Sequence, residues 1–351
     1  MTLWGWIVAY LSRWLPHAVE PGLRKVGNPN PDSPVIVTSN FSLTVKRVTR
    51  SLREQNIWLL VVNSGGINVW CAATGGMFTQ NRVVDALKVM DLAQKVTHRQ
   101  IILPALAAPG IDRKTILEET GFRAHFGPVQ AQDIPAYLKA GYKKTDPMRR
   151  FKFDLKHRLD MIISMNFPIW VVLSVVLAVF WPHYLLGTTA IFWFALVMLY
   201  IFLDFIPGRT GWSQAMFTAS LFIGAWLLLD WFRIGKPLEH WGWFIASFAI
   251  FFAAGLDLAG ITTGRKSDPE QLMLKLGFKS LGSLFSEKDH GELHLDRSKC
   301  SGCKNCQDIC PIGVFGELEA EKKMSLEAPA QCFACTACVK QCPEAALSLQ
   351  P

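Results

Sequence analysis

The chain has 351 residues, more than one typical domain, and half of them are apolar with a positive mean hydropathy, which excludes a wholly soluble single domain and implies a membrane portion beside soluble parts. Its net charge is +8, but no basic run is interleaved with aromatics in the manner of a single-strand binder. Nucleic acid is therefore excluded as a partner, and positive-inside membrane flanks account for the charge.

Residues 1–34 read as an N-terminal interfacial helix and lead-in. The segment 3–15 holds Trp4, Trp6, Trp14, Tyr10 and Arg13, lacks the basic start and small-residue cleavage site of a signal peptide, and is too short to span a bilayer. It fits a helix in the membrane interface or one packed on a soluble domain, and Pro16, Pro21 and Asn28-Pro29-Asn30-Pro31 then punctuate the chain.

From 35 to 142, apolar runs alternate with helical patterns. Strands are expected at 35–38, 57–62 and 100–103 and helices near 42–54, 80–95 and 112–120. This order predicts an α/β Rossmann-like domain with a doubly wound, mostly parallel sheet, its post-strand loops converging at one edge. Those loops carry Ser39-Asn40-Phe41, the glycine-rich stretch from Gly65 to Gly76, Pro104 to Gly110, and Gly127 to Ala131. Cys71 lies in the second, where a strand gives way to a helix. It is open to reading as a ligand-site thiolate or as a buried structural cysteine. His98 and His125 belong to strands and read as structural histidines.

Residues 143–160 form a basic juxtamembrane segment from Lys143-Lys144 to Arg158. Residues 161–262 contain four apolar segments, near 161–181, 184–206, 213–232 and 241–262, each about the ~20 residues a bilayer requires, which predicts a transmembrane domain of four helices. An even number of spans returns the chain to its starting side. Asp204, Asp230 and Asp257 fall near segment ends, where water solvates them. A polar linker over 263–290 leads to the last module, 291–351.

That module carries two runs, Cys300-x2-Cys303-x2-Cys306-x3-Cys310-Pro311 and Cys332-x2-Cys335-x2-Cys338-x3-Cys342-Pro343. In the bacterial ferredoxin pattern three thiolates of one run join the fourth of the other. Cys300, Cys303, Cys306 and Cys342 are thus expected to hold one [4Fe-4S] cluster, and Cys332, Cys335, Cys338 and Cys310 the second, in an α+β ferredoxin domain. Paired Cys/His spacing typical of structural zinc is absent. Clusters need reduced thiolates, which places both soluble modules in the cytoplasm and the protein in the cytoplasmic membrane as a multi-pass chain.

The string Asn68-Val69-Trp70-Cys71-Ala72-Ala73 resembles the cap-helix motif of the corrinoid proteins of mercury methylation and, in related form, of the large subunit of the corrinoid iron-sulfur protein of acetyl-CoA synthesis. Val35 to Thr44, His98 to Pro104, Ala107 to Gly110, Gly121 to Arg123 and Gly127 to Leu138 resemble the same domains, in the same order. The whole chain looks like a fusion of a mercury-methylation corrinoid protein with its partner ferredoxin. The resemblance implies a cobalamin-type corrinoid whose cobalt is approached by the Cys71 thiolate, the catalytic residue. It implies corrinoid contacts from Thr38, Ser39, Asn40, Phe41, Gly66, Asn68, Val69, Trp70, Ala72, Ala73, Pro104, Ala107, Pro109, Gly110, Gly127, Pro128, Val129 and Ala131. The function implied is methyl transfer to mercury(II) or a related acceptor, with the ferredoxin returning cobalt to Co(I). The alternatives are a membrane-bound electron carrier without methyl transfer and a methyl shuttle to an acetyl-CoA-synthase-like partner. Implied partners are the membrane, a methyl-donor methyltransferase using a folate-type donor, and a low-potential electron donor. Two departures from the mercury pattern bear on the acceptor: Thr74-Gly75 stands where Gly-Lys usually follows the alanines, and no cysteine follows Cys342.

Overall fold

The computed structural model describes residues 3–13, 15–151, 154–202, 211–231, 241–261, 292–319, 321–329, 332 and 334–350. These fall into two compact units. One holds Leu15–Phe151 together with the C-terminal module, and the other holds the N-terminal helix with the apolar middle of the chain.

In the first unit the strands β1 (Gly22–Val26), β2 (Val35–Ser39), β3 (Ile57–Val62), β4 (Gln100–Leu103) and β5 (Arg123–Phe126) form one sheet in the order β1-β3-β2-β4-β5. The last four are parallel. β1 runs antiparallel along the β3 edge and was not expected; Gly22-Leu23-Arg24-Lys25-Val26 is short and half charged, which hides an edge strand in the sequence. The buried parallel strands are near-continuous apolar runs, as Val35-Ile36-Val37 and Leu59-Leu60-Val61-Val62 show.

Alternation along the strands sorts side chains onto two faces. Val35, Val37, Leu60, Val62, Ile101 and Leu103 point into one core, and Ile36, Leu59, Val61 and Ile102 into the other. α2 (Ser42–Ser51) puts Val45 and Val48 into the second core. The other face receives α3 (Val69–Thr74), α4 (Gln80–Val89), α5 (Leu92–Lys95) and α6 (Arg113–Thr120). The doubly wound expectation therefore describes the sheet. The chain reverses direction between β2 and β4, so the switch point lies beside the carboxyl end of β2. The helix expected over 80–95 breaks at Asp91, whose backbone is left-handed at φ +46°, a conformation that Asp tolerates better than most residues. After β5 come α7 (Ile134–Lys139) and α8 (Asp146–Arg149).

The C-terminal module of this unit is built from two antiparallel pairs, β6 (Glu292–Leu295) with β9 (Leu347–Gln350) and β7 (Phe315–Leu318) with β8 (Met324–Leu326), and two short helices, α13 (Asn305–Ile309) and α14 (Ala337–Lys340). Its apolar residues Leu293, Ile309, Val314 and Phe315 belong to the same continuous core as Val35 and Leu60.

The second unit contains α1 (Leu3–Leu11), α9 (Leu155–Phe180), α10 (Leu185–Ile201), α11 (Gly211–Trp231) and α12 (Trp241–Ile261). α1 packs on α9, where Arg13 pairs with Asp160 at 3.0 Å and donates to Ser164 Oγ at 3.3 Å. It therefore rests on the apolar unit rather than on the α/β domain. Four apolar helices form where four were expected, but among the described residues only Leu155–Phe180 and Pro182–Ile201 are long and apolar enough to cross a membrane. The four-span expectation is corrected to two; in α11 and α12 the described apolar stretches, Ala215–Leu227 and Phe244–Ala254, are shorter than a bilayer requires. Asp204, the side chains of Asp230 and Asp257, and the linker 263–290 lie outside the described residues.

Candidate functional site

Beyond β3, the chain turns through Gly65 and Gly66, both with positive φ, into α3. Gly66 needs its bare Cα twice over: φ is +72°, and a Cβ there would meet the Ala18 backbone nitrogen at 2.6 Å. The turn is organised by Asn40, which leaves the carboxyl end of β2. Its Oδ1 accepts from Ser64 N, Ser64 Oγ and Gly66 N at 2.9 to 3.0 Å, and its Nδ2 donates to Val19 O at 3.1 Å. Asn40, expected as a corrinoid contact, is thus engaged in holding the loop that presents Cys71.

Asn68 caps α3. Its Oδ1 accepts from Cys71 N at 3.0 Å, and its Nδ2 donates to Cys71 Sγ at 3.3 Å. One side chain therefore starts the helix and orients the sulfur. Cys71 is exposed, which removes the buried-structural reading. Val69, Ala72 and Ala73 are buried beneath it, so these motif positions seat the helix while the thiol faces out. Thr74 Oγ1 bonds back to Trp70 O at 3.0 Å, so the residue departing from the mercury-type motif serves the end of its own helix.

Around the carboxyl end of β2, the hydroxyls of Thr38, Ser39 and Ser42 are buried without a hydrogen-bond partner, as is Gln130 Nε2 in the loop after β5. Buried polar atoms are ordinarily satisfied, so each of these orphans has a place for a polar partner; Thr38 and Ser39, being consecutive in β2, offer theirs on opposite faces of the sheet. A corrin ring carries peripheral amides that both donate and accept, so the residues present fit that group. Thr38 and Ser39 were expected from the sequence. Ser42 and Gln130 were not, and only their stranded polar atoms single them out.

The loop after β4 behaves differently. Ala105–Gly110 forms a 3-10 turn packed between α3 and α14. A Cβ on Gly110 would meet Phe78 O at 2.3 Å and Ala73 O at 2.9 Å, so this glycine serves backbone packing under α3. Ala107, Pro109, Gly110, Gly127 and Pro128 are buried, Pro104, Val129 and Ala131 partly so. Phe41 is buried too, beneath the same edge. His98 is the structural histidine expected, with Nδ1 accepting from Gln100 N and Nε2 facing Ser33 O at 2.9 Å. His125 lies in β5 as expected, but its Nε2 is buried and unpartnered. Desolvation first, then the Arg123 and Arg113 charges, holds its pKa below the usual imidazole value.

The eight C-terminal cysteines line two small cavities, four sulfurs to each. Cys300, Cys303, Cys306 and Cys342 line the first, and Cys310, Cys332, Cys335 and Cys338 the second, the grouping expected from the spacing. Backbone N–H groups of Val314, Ala334 and Ala346 point at the sulfurs of Cys310, Cys332 and Cys342 at 3.3 to 3.5 Å, the donors that a thiolate–iron cluster uses. Among the described residues no three metal-ligating side chains converge on the position of a single ion. Burial pushes the Cys306 thiol up to about 12 and Cys338 well above the usual thiol range, so metal charge is needed to make them thiolates.

Residues 8–138 match the family described as CO dehydrogenase/acetyl-CoA synthase delta subunit, and residues 299–347 match the 4Fe-4S dicluster domain. The chain carries a corrinoid iron-sulfur protein domain and a ferredoxin-type domain. Similar curated proteins are gamma subunits of the acetyl-CoA decarbonylase/synthase complex. That of Methanocaldococcus jannaschii is 40% identical over 131 residues, 37% of this chain and 26% of the relative. Those of Archaeoglobus fulgidus and Methanopyrus kandleri are 37% and 36% identical over 135 and 126 residues, covering 38% and 35% of this chain and 28% and 27% of the relatives. The match thus spans little more than a quarter of these relatives. The corrinoid expectation is supported at the level of the domain. The mercury acceptor implied by the resemblance is not, since these relatives are named for acetyl-CoA decarbonylase/synthase.

Proposed function

We propose that this protein is a membrane-anchored corrinoid methyl carrier that passes methyl groups to an acetyl-CoA-synthase-like partner, with two fused [4Fe-4S] clusters that keep its cobalt reduced. The observation that carries the reading is the exposed Cys71 sulfur at the start of α3, beyond the carboxyl end of β3, oriented by the Asn68 amide that also caps the helix. The similarity of residues 8–138 to acetyl-CoA decarbonylase/synthase gamma subunits favours this acceptor over mercury(II).

When bound, the corrinoid supplies a cobalt centre able to take a methyl group from a methyltransferase using a folate-type donor and to release it to an acceptor. Cys71 would hold the cobalt through its sulfur. Asn68 holds that sulfur at a fixed azimuth through the amide that also caps α3, and Asn40 fixes the preceding loop. Thr38, Ser39, Ser42 and Gln130 offer hydroxyl and amide partners to the ring's periphery. The ferredoxin domain supplies low-potential electrons, of the order of ~−400 mV for clusters of this type, drawn from an external donor.

Membrane anchoring rests on the second unit. In Leu155–Phe180 and Pro182–Ile201 only 18% and 33% of the most apolar stretch is buried, leaving Val172, Val175, Val179, Leu186 and Phe194 exposed. Helices of a soluble core would bury such residues. The basic residues preceding α9 and the need of the clusters for reduced thiolates support a cytoplasmic side for both soluble modules.

Anaerobically purified protein is expected to contain about eight irons and, after reconstitution with cobalamin, one cobalt. Methyl-loaded protein should transfer its methyl group to an acetyl-CoA synthase faster than to mercury(II). Iron without corrinoid binding would contradict the carrier reading, and preferential methylmercury formation would replace the acceptor.

A further inference from the structure

The ferredoxin-type module is joined to the α/β domain by two polar latches whose residues on the module, Asp308 and Gln341, occupy variable positions within the two cysteine runs. Gln341, 6% exposed, sits between the two. Its Nε2 donates to Ile111 O at 2.7 Å and Ala108 O at 3.3 Å, and its Oε1 accepts from Arg113 Nε at 2.8 Å. Arg113 in turn lies 5.3 Å above the Phe126 ring at the end of β5. The second latch is Lys144, whose side chain is 3% exposed and which donates to Asp308 O and pairs with Asp308 Oδ2, both at 2.8 Å. Arg149 Nε reaches Asp308 Oδ1 at 3.4 Å, and Phe151 N donates to Pro311 O at 2.7 Å.

We infer that Gln341 is a positioning residue for electron transfer: it fixes the ferredoxin-type module on the Ala105–Gly110 turn, so that this module serves the cofactor site as a docked donor rather than as a swinging carrier. The turn it grips is the one that packs under α3, the helix of Cys71, and α14, with Cys338, lies on the turn's other side. On separation these polar groups would exchange their partners for water, so the latches set the register of the module while the apolar core it shares with the α/β domain holds it there. The inference rests on the corrinoid reading for its chemistry: one electron leaves a [4Fe-4S]+ cluster, which becomes [4Fe-4S]2+, and cobalt(II) becomes cobalt(I). The dock itself stands on geometry alone.

The test uses full-length protein with Q341L, which keeps the side-chain volume but removes the three hydrogen bonds, and Q341E, which keeps the Arg113 bond but sets a carboxylate against the two carbonyls. Both should retain full iron and unchanged cluster potentials. Amide hydrogen exchange in residues 105–111 should quicken roughly tenfold or more, as loss of about 1.4 kcal/mol of docking requires. In cobalamin-loaded protein, re-oxidation of photoreduced clusters by cobalt(II) should slow by a similar factor. Should either variant fail to assemble clusters, D308N loosens the other latch and carries the same two readouts. Unchanged exchange and an unchanged rate in cluster-replete variants would overturn the inference. Faster exchange in a protein that binds no cobalamin would uphold the dock while removing the corrinoid reading.

Discussion

The two chemical regions of this chain are built in opposite ways. The ferredoxin-type cavities draw eight sulfurs from two runs with fixed spacing, and most of those sulfurs are partly or wholly buried. The Cys71 site has one exposed sulfur, and its surroundings come from four separate loops after β2, β3, β4 and β5. Where local spacing supplies the ligands, burial and backbone N–H groups finish the site. Where the topology supplies them, a single side chain such as Asn40 has to tie the loops together.

The largest effect that would sharpen this contrast is expected at the Lys144–Asp308 latch. D308A leaves the nearly buried ammonium without its carboxylate and should destabilise the first unit by about 3 kcal/mol, read by chemical denaturation of cluster-replete protein. K144M should cost much less, because Asp308 is more exposed and keeps Arg149. Equal losses in the two variants would mean that the pair acts through packing rather than charge.

A smaller effect is expected at the Cys71 site. N68A removes the cap of α3 and should cost about 1 kcal/mol of stability. Its larger consequence should appear in cobalamin-loaded protein as a shifted cobalt absorption spectrum, because the same amide orients the sulfur. N68D keeps the cap acceptor, so it should restore stability but not the spectrum. Recovery of both would show that the donor to Cys71 has no role.

The smallest effect concerns pH. His125 has a folded pKa below its unfolded value of about 6.5, so the unfolded chain binds the proton more readily. Its contribution to stability is complete above pH 6.5 and is lost as pH falls from there through the depressed folded value. H125Q should flatten that part of the stability profile while leaving iron content unchanged.

Much of the sheet was legible because β2, β3 and β4 are uninterrupted apolar runs with helical patterns between them. β1 was not legible, since a half-charged edge strand carries no such run. The short helix α3 was expected through the resemblance of Asn68–Ala73 to a cap-helix motif, since six residues are too few to show a helical period of their own, and the helix rests on the Asn68 cap. The two cysteine runs stand out in the sequence, and the structure gathers three cysteines of each run with the fourth of the other around one cavity, the crossing that the ferredoxin pattern implies. The latch residues Gln341, Lys144, Arg113 and Asp308 were invisible, since their partners lie 159 to 233 positions away and are mostly backbone carbonyls. The expected four membrane spans came from counting apolar residues, whereas the described helices α11 and α12 offer shorter apolar stretches.

The most direct test of the account is the absorption spectrum and methyl-transfer rate of cobalamin-reconstituted Cys71→Ala beside wild type. The loss of one exposed side chain should leave the fold and about eight irons intact, shift the cobalt spectrum and abolish transfer. Identical spectra and equal transfer rates in the two proteins would contradict the assignment of Cys71 as the residue that holds the cobalt.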